Sequence, residues 1–175
     1  MLSKYNRYVL LKVFMDSPTD SFRLRELSRL SKISPPSVMI YLKEFQKDGM
    51  VIKYEKRGIP FYKSNRENKD FVFYKKISIL YELKESGLVD FLEENLSPSA
   101  IILYGSYAKG ESIESSDLDI FIVGREKNIH LDKFEKKLNK EIHLMFCEDI
   151  RKISKELKSN LANGIVLWGY FDVLK

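Results

Sequence analysis

Asp117-Leu118-Asp119 opens an apolar run over residues 120–123 that reads as a strand. Side chains two apart on a strand leave it on the same side, so the two carboxylates share a face and can converge on one divalent cation. Paired carboxylates, completed by phosphate oxygens and water, make the hard-oxygen set that Mg2+ takes. Ten residues before them, Gly105-Ser106 interrupts a second apolar run, residues 100–104, and a turn of helix is expected through Lys109 and Gly110. Gly105 lets the backbone approach a ligand closely. Ser106 adds a hydroxyl and an N–H at the start of a short helix, a turn that favours the negative charge of a triphosphate. Lys109 is a further phosphate contact in this reading, with a solvated surface lysine as the alternative.

A strand, Gly-Ser, ten intervening residues and Asp-Leu-Asp running into Ile-Phe-Ile-Val together resemble the DNA polymerase β-like nucleotidyltransferase superfamily. The compact length, residues 97–175, is most similar to its minimal nucleotidyltransferase group. The resemblance implies a small α/β fold with a mixed sheet and metal-dependent transfer of a nucleoside monophosphate from an NTP to an unspecified acceptor. It implies that Asp117 and Asp119 are the catalytic pair and hold Mg2+ (or Mn2+), and that Gly105, Ser106 and Lys109 bind the nucleotide. It also implies a third acid from a later strand, for which residues 140–146 are the candidate. There Glu141, His143 and Met145 alternate onto one face, with Ile142, Leu144 and Phe146 on the other. The place of the acid, between Ile142 and Leu144, holds His143. Three readings stay open. Glu141 supplies the carboxylate, His143 is a general base with an imidazole pKa near ~6.5, or the site has lost its third acid and only binds nucleotide.

These residues need a scaffold, and the rest of the chain supplies more than one. Residues 1–75 hold 16 basic and 8 acidic side chains, whereas residues 76–175 hold 14 and 17, so a surplus of 8 in the front part and a deficit of 3 behind it make the net +5. That asymmetry predicts two domains with different partners. Residues 4–15 show helical spacing at Tyr5, Tyr8, Val9, Leu11, Val13 and Phe14, and residues 16–20 carry turn chemistry. A second helix is expected to pack through Leu24, Leu27 and Leu30, with Arg23, Arg25 and Arg29 pointing elsewhere. Ser34 reads as the N-cap of a third helix, Pro35-Pro36 suit its first turn, and Gly49 stops it. Val38, Leu42 and Phe45 fall on one face of that helix, and Pro36, Ile40, Lys43 and Lys47 on the opposite one.

Two helices joined in this way push the second into a DNA major groove. Lys43 and Lys47 then meet phosphates, and Ser37 and Ile40 meet base edges or thymine methyls. Runs over 50–55 and 60–64 read as a hairpin whose tip, residues 56–59, carries Lys56 and Arg57. Residues 3–66 resemble the winged-helix transcription regulators, which implies binding to double-stranded DNA and a homodimer on two half-sites.

The domain plan is therefore a winged helix-turn-helix over 1–67, connecting helices over 68–96 and the nucleotidyltransferase domain over 97–175, an α+β chain of two domains. Residues 148–161 are expected to form one amphipathic helix, followed by a strand from Ile165. One cysteine, Cys147, excludes a disulfide framework and a Cys-based zinc finger. No stretch approaches the ~18 apolar residues that span a bilayer, and charges at Lys4, Arg7 and Lys12 interrupt any export signal. A cytoplasmic protein with no membrane partner is expected. The functions this supports are an NTP-using transferase that carries a DNA-binding domain, a transcription regulator whose degenerate transferase domain senses nucleotide, and an antitoxin-like partner of a toxin.

Overall fold

Helical spacing in the front of the chain produces three helices, α1 (Asn6–Asp16), α2 (Leu24–Ser31) and α3 (Pro35–Lys47). The structure is a computed structural model describing residues 4–172. It divides into two compact units, Met1–Lys75 and Lys76–Lys175.

In the first unit, α1 buries Leu10, Leu11, Phe14 and Met15. The α3 helix buries Val38, Leu42 and Phe45 and exposes the opposite face, as its spacing predicts. Leu27 of α2 is fully buried, but Leu30 is 56% exposed, contrary to the expected leucine stripe. The reason is geometric: six residues at 3.6 per turn leave Leu30 about 120° away from Leu24 around the helix. Ser34 does occupy the N-cap position of α3, but its hydroxyl bonds Ser37 Oγ rather than a backbone N–H.

The hairpin is β2 (Val51–Lys56) with β3 (Ile59–Ser64), and Lys56 pairs with Ile59. Its loop is thus only Arg57-Gly58, both at positive φ (53° and 74°), the two-residue turn whose twist matches that of the strands. A strand absent from the sequence reading, β1 (Ser21–Phe22), pairs antiparallel with β3. Two residues offer no alternation to read. The strand is fixed by Phe22, whose ring meets Phe14 edge-on at 5.5 Å inside the core.

Asn68 starts α4 (Lys69–Ser86), its side-chain oxygen accepting from Phe71 N. Gly87, at φ 78°, separates α4 from α5 (Leu88–Leu96). The rest of the second unit runs β4 (Ala100–Leu103), α6 (Gly105–Lys109), β5 (Leu118–Val123), α7 (Asp132–Leu138), β6 (Ile142–Cys147), α8 (Lys155–Ala162) and β7 (Ile165–Gly169). Its sheet has the order β6-β5-β4-β7, with β5 and β6 parallel and the other pairs antiparallel, the mixed sheet that was expected. A parallel pair needs a crossover connection, and α7 lies in it. One face of the sheet (Ile101, Leu103, Leu118, Ile120, Ile122) joins a core with Leu83, Leu88, Leu92 and Phe134. The other (Ala100, Ile102, Phe121, Val123) packs with Leu161 of α8.

The single helix expected over 148–161 is broken in two. Asp149 accepts from Arg151 N and closes one turn of 3-10 helix, Ile150–Lys152. Ser154 then caps α8 by accepting from Leu157 N, and Ile153 between them is extended. Two polar side chains each open a new N-terminus, which overrides the helical spacing of the apolar residues. No helix among the described residues is long and apolar enough to cross a membrane.

Candidate functional site

The site begins where β4 ends. Leu103 pairs with Ile120, and Tyr104 N donates to the Asp119 carbonyl at 3.1 Å, so the chain turns into α6 directly beside Asp119. Gly105 makes that turn at φ 71°, and a Cβ on it would collide with the Asp119 carboxylate. The sequence reading assigned the small size of Gly105 to ligand approach. In the structure the space is taken by a side chain of the site itself. Ser106 follows, half-buried, at the second position of α6, whereas Lys109 is exposed in its last turn.

The parallel pairing of β5 and β6 assembles the remaining groups. Leu118 pairs with Ile142 and Asp119 with His143, and Leu118 N donates to the Glu141 carbonyl at 2.9 Å. Asp117 and Glu141 each stand one residue before their strand, so alternation sends Asp117, Asp119, Glu141 and His143 to one face. The intervening Leu118, Ile120 and Ile142 are buried on the other. His143 Nδ1 is 3.7 Å from Asp117 Oδ2 and 4.0 Å from Asp119 Oδ1. Asp117, Glu141 and His143 each offer one ligand atom, all within 4.8 Å of one another. The two aspartates and both candidates for the third position thus meet in one place.

Burial raises the Asp119 carboxyl above the ordinary carboxylate range. His143 acts against that rise and the charge of Asp117 adds to it. Tyr104, whose ring meets Phe121 edge-on at 6.5 Å, is raised as well, first by burial and then by the charge of Asp119. The sequence reading missed Tyr104 because an aromatic closing an apolar run carries no signal beyond packing. A cleft of about 610 Å³ opens beside Asp117 and Glu141, with Ser116, Glu135, Lys136 and Lys140 also in its wall. Lys140 stands 4.0 Å from Glu82 and over the Tyr107 ring at 5.6 Å.

Other residues weighed in the sequence lie outside this cluster. His130 is exposed in the loop before α7. Cys147 closes β6, half-buried, and its thiol donates to the Asp149 carbonyl at 3.2 Å. In the first unit, Ile40, Lys43 and Lys47 are exposed along α3, Ser37 is half-buried, and Lys56 and Arg57 are exposed at the hairpin end. Arg7 pairs with Glu44 at 3.0 Å and Asp48 at 2.9 Å, offsetting the acids next to those lysines.

Residues 85–167 match the family model described as the nucleotidyltransferase domain. A Methanocaldococcus jannaschii protein bearing the name protein adenylyltransferase is 39% identical over 62 residues, 31% of this chain and 51% of that protein. The chain therefore spans about half the length of the curated relative it matches. Two solved structures are also similar, a toxin–antitoxin with AMP-PNP (24% identity) and a mutant of the toxin–antitoxin MntA–HpeT (22% identity). Each has a TM-score of 0.39 over 49% of this chain and 73% of the other.

Proposed function

We propose that the chain is a divalent-metal-dependent nucleotidyltransferase moving a nucleoside monophosphate from an NTP to an acceptor hydroxyl. The observation that carries this reading is the meeting of Asp117, Asp119, Glu141 and His143 beside the Gly105-Ser106 turn. The likeness to a protein named as an adenylyltransferase favours ATP as donor and a protein hydroxyl as acceptor.

The donor atoms fit a divalent cation: Asp117, Glu141 and His143 each offer a ligand atom within 4.8 Å of one another, and Asp119 lies 4.0 Å from the imidazole. A cation held by Asp117 and Asp119 with Glu141 or His143 would neutralise the phosphates and the charge that develops on the leaving pyrophosphate. The backbone N–H groups and hydroxyl of Gly105-Ser106 face the triphosphate in this reading, while Asp119 fills the space beneath the glycine. The acceptor oxygen attacks the α-phosphorus, the bond to pyrophosphate breaks, and the acceptor proton passes to a carboxylate. Glu141, exposed in the wall of the cleft, is the group placed to take it.

The test is transfer of label from α-labelled ATP by the whole chain. Asp117→Asn with Asp119→Asn should abolish it while circular dichroism stays unchanged. Transfer that survives the double change refutes these roles.

For residues 1–67 we propose a winged helix that binds duplex DNA. Support comes from the order α1-β1-α2-α3-β2-β3, from the exposed Ile40, Lys43 and Lys47 on α3, and from the basic surplus of this part of the chain. A second reading makes the chain a regulator that senses nucleotide without turnover, and it is favoured by His143 standing where the superfamily pattern has an acid. In that case NTP with Mg2+ should change DNA affinity with no labelled product.

A further inference from the structure

The transferase reading leaves open which cation the cluster takes and what His143 does in it, and the inference below rests on that reading. His143 is exposed, yet its Nδ1 lies between two carboxylates, 3.7 Å from Asp117 Oδ2 and 4.0 Å from Asp119 Oδ1. The parallel register puts His143 opposite Asp119, and alternation keeps both on the face that carries Asp117. Ligand bonds to small divalent cations are about 2.1 Å long. Two donors on one such ion stand at most about 4.2 Å apart, so His143 Nδ1 lies within the span of a shared ion from Asp117 and from Asp119, and small side-chain rotations would close the set around it.

An imidazole changes the selectivity of a carboxylate site. Mg2+ is a hard ion that prefers oxygen and releases its water reluctantly, and nitrogen is a poor replacement for an oxygen donor. Ions of the first transition series accept imidazole readily, and their affinity for mixed nitrogen and oxygen sites exceeds that of Mg2+. The Ile142-His143-Leu144 position therefore does more than lack an acid.

We infer that His143 is a direct metal ligand through Nδ1, and that with Asp117 and Asp119 it makes a nitrogen–oxygen site selecting a first-row transition cation over Mg2+. The reference variant is His143→Asp, which restores a carboxylate between the two apolar residues and leaves the fold of this exposed position undisturbed. His143→Asn serves as a second variant of similar size.

The experiment uses the full chain with Mn2+ and Mg2+ as probes. Calorimetry gives the dissociation constant of each ion, and pulsed electron paramagnetic resonance of the Mn2+ complex reports directly bound nitrogen. The chain has two histidines, so His130→Ala controls for the other. Nitrogen coupling is expected in the wild type and in His130→Ala, and is lost in both His143 variants. The preference for Mn2+ over Mg2+ should fall at least about tenfold in His143→Asp, since losing even a supporting group around a metal costs that much. Mn2+ that binds without nitrogen coupling, or an unchanged preference in His143→Asp, overturns the inference and leaves the transferase reading standing. Failure of Mn2+ and Mg2+ alike to bind overturns both.

Discussion

Gly105 and Asp119 are one unit at the scale of residues. The glycine accepts a positive φ that costs other residues about 1–2 kcal/mol, and its missing Cβ is the space the Asp119 carboxylate occupies. Gly105→Ala should lower thermal stability and also weaken Mn2+ binding, because the new methyl displaces a metal-facing group. Calorimetry on a variant that melts earlier but binds Mn2+ normally would disprove the second half. Asp119 is held in the opposite tension. Its carboxyl is raised above the ordinary range by burial, helped by the charge of Asp117. A raised carboxyl binds its proton more tightly folded than unfolded, so ionisation costs stability once the pH climbs past the unfolded value of ~3.9. In metal-free buffer, Asp119→Asn should therefore melt higher than the wild type at neutral pH, and the gap should close as the pH falls below the carboxylate range. Added Mn2+ should reverse the order. Melting curves with chelator and with Mn2+ decide this.

At the scale of elements, the short pieces depend on single polar side chains. Ser154 caps α8, and α8 supplies Leu161 to the sheet face of Ala100, Ile102, Phe121 and Val123. Ser154→Ala should cost about 1 kcal/mol, measured as a shift in urea midpoint at constant slope. The same cap explains why the helix over 148–161 was misread: apolar spacing ran through a stretch that two local hydrogen bonds divide. Leu30 shows the complementary failure, because a spacing of three drifts around a helix and leaves the third leucine in solvent. The strand β1 left no pattern at all, being two residues held by pairing with β3 and by Phe22 in the core. Segments such as α3 and β5 were legible because the same burial demand recurs along them.

At the scale of the whole molecule, the charge of the chain is divided unevenly between its front and back parts. A surplus of basic side chains in residues 1–75 predicts binding to a polyanion that weakens with salt. Lys43→Glu with Lys47→Glu should weaken binding to duplex DNA and reduce the slope of log affinity against log salt by about 2, roughly one per lost phosphate contact. Fluorescence anisotropy across a NaCl series measures this. Nucleotidyl transfer should be unchanged in that variant, and Asp117→Asn with Asp119→Asn should leave DNA binding unchanged. Loss of both functions together in either variant would show that the assigned surfaces are wrong.

The sequence by itself determined which residues could do chemistry. Gly105-Ser106, Asp117 and Asp119 stand close together in the chain, and the two-residue step between the aspartates dictates a shared face on any strand. Glu141 and His143 were legible only as candidates, since nothing local says which strand lies beside β5. The tertiary structure decided that by pairing β6 parallel to β5 with Asp119 opposite His143, a register set by burial of Leu118, Ile120, Ile142 and their neighbours. It also decided that the space above Asp119 belongs to the carboxylate and that Tyr104 stands within its field. Contacts between residues distant in the chain follow from how apolar faces close on one another, and that information is spread over the whole core.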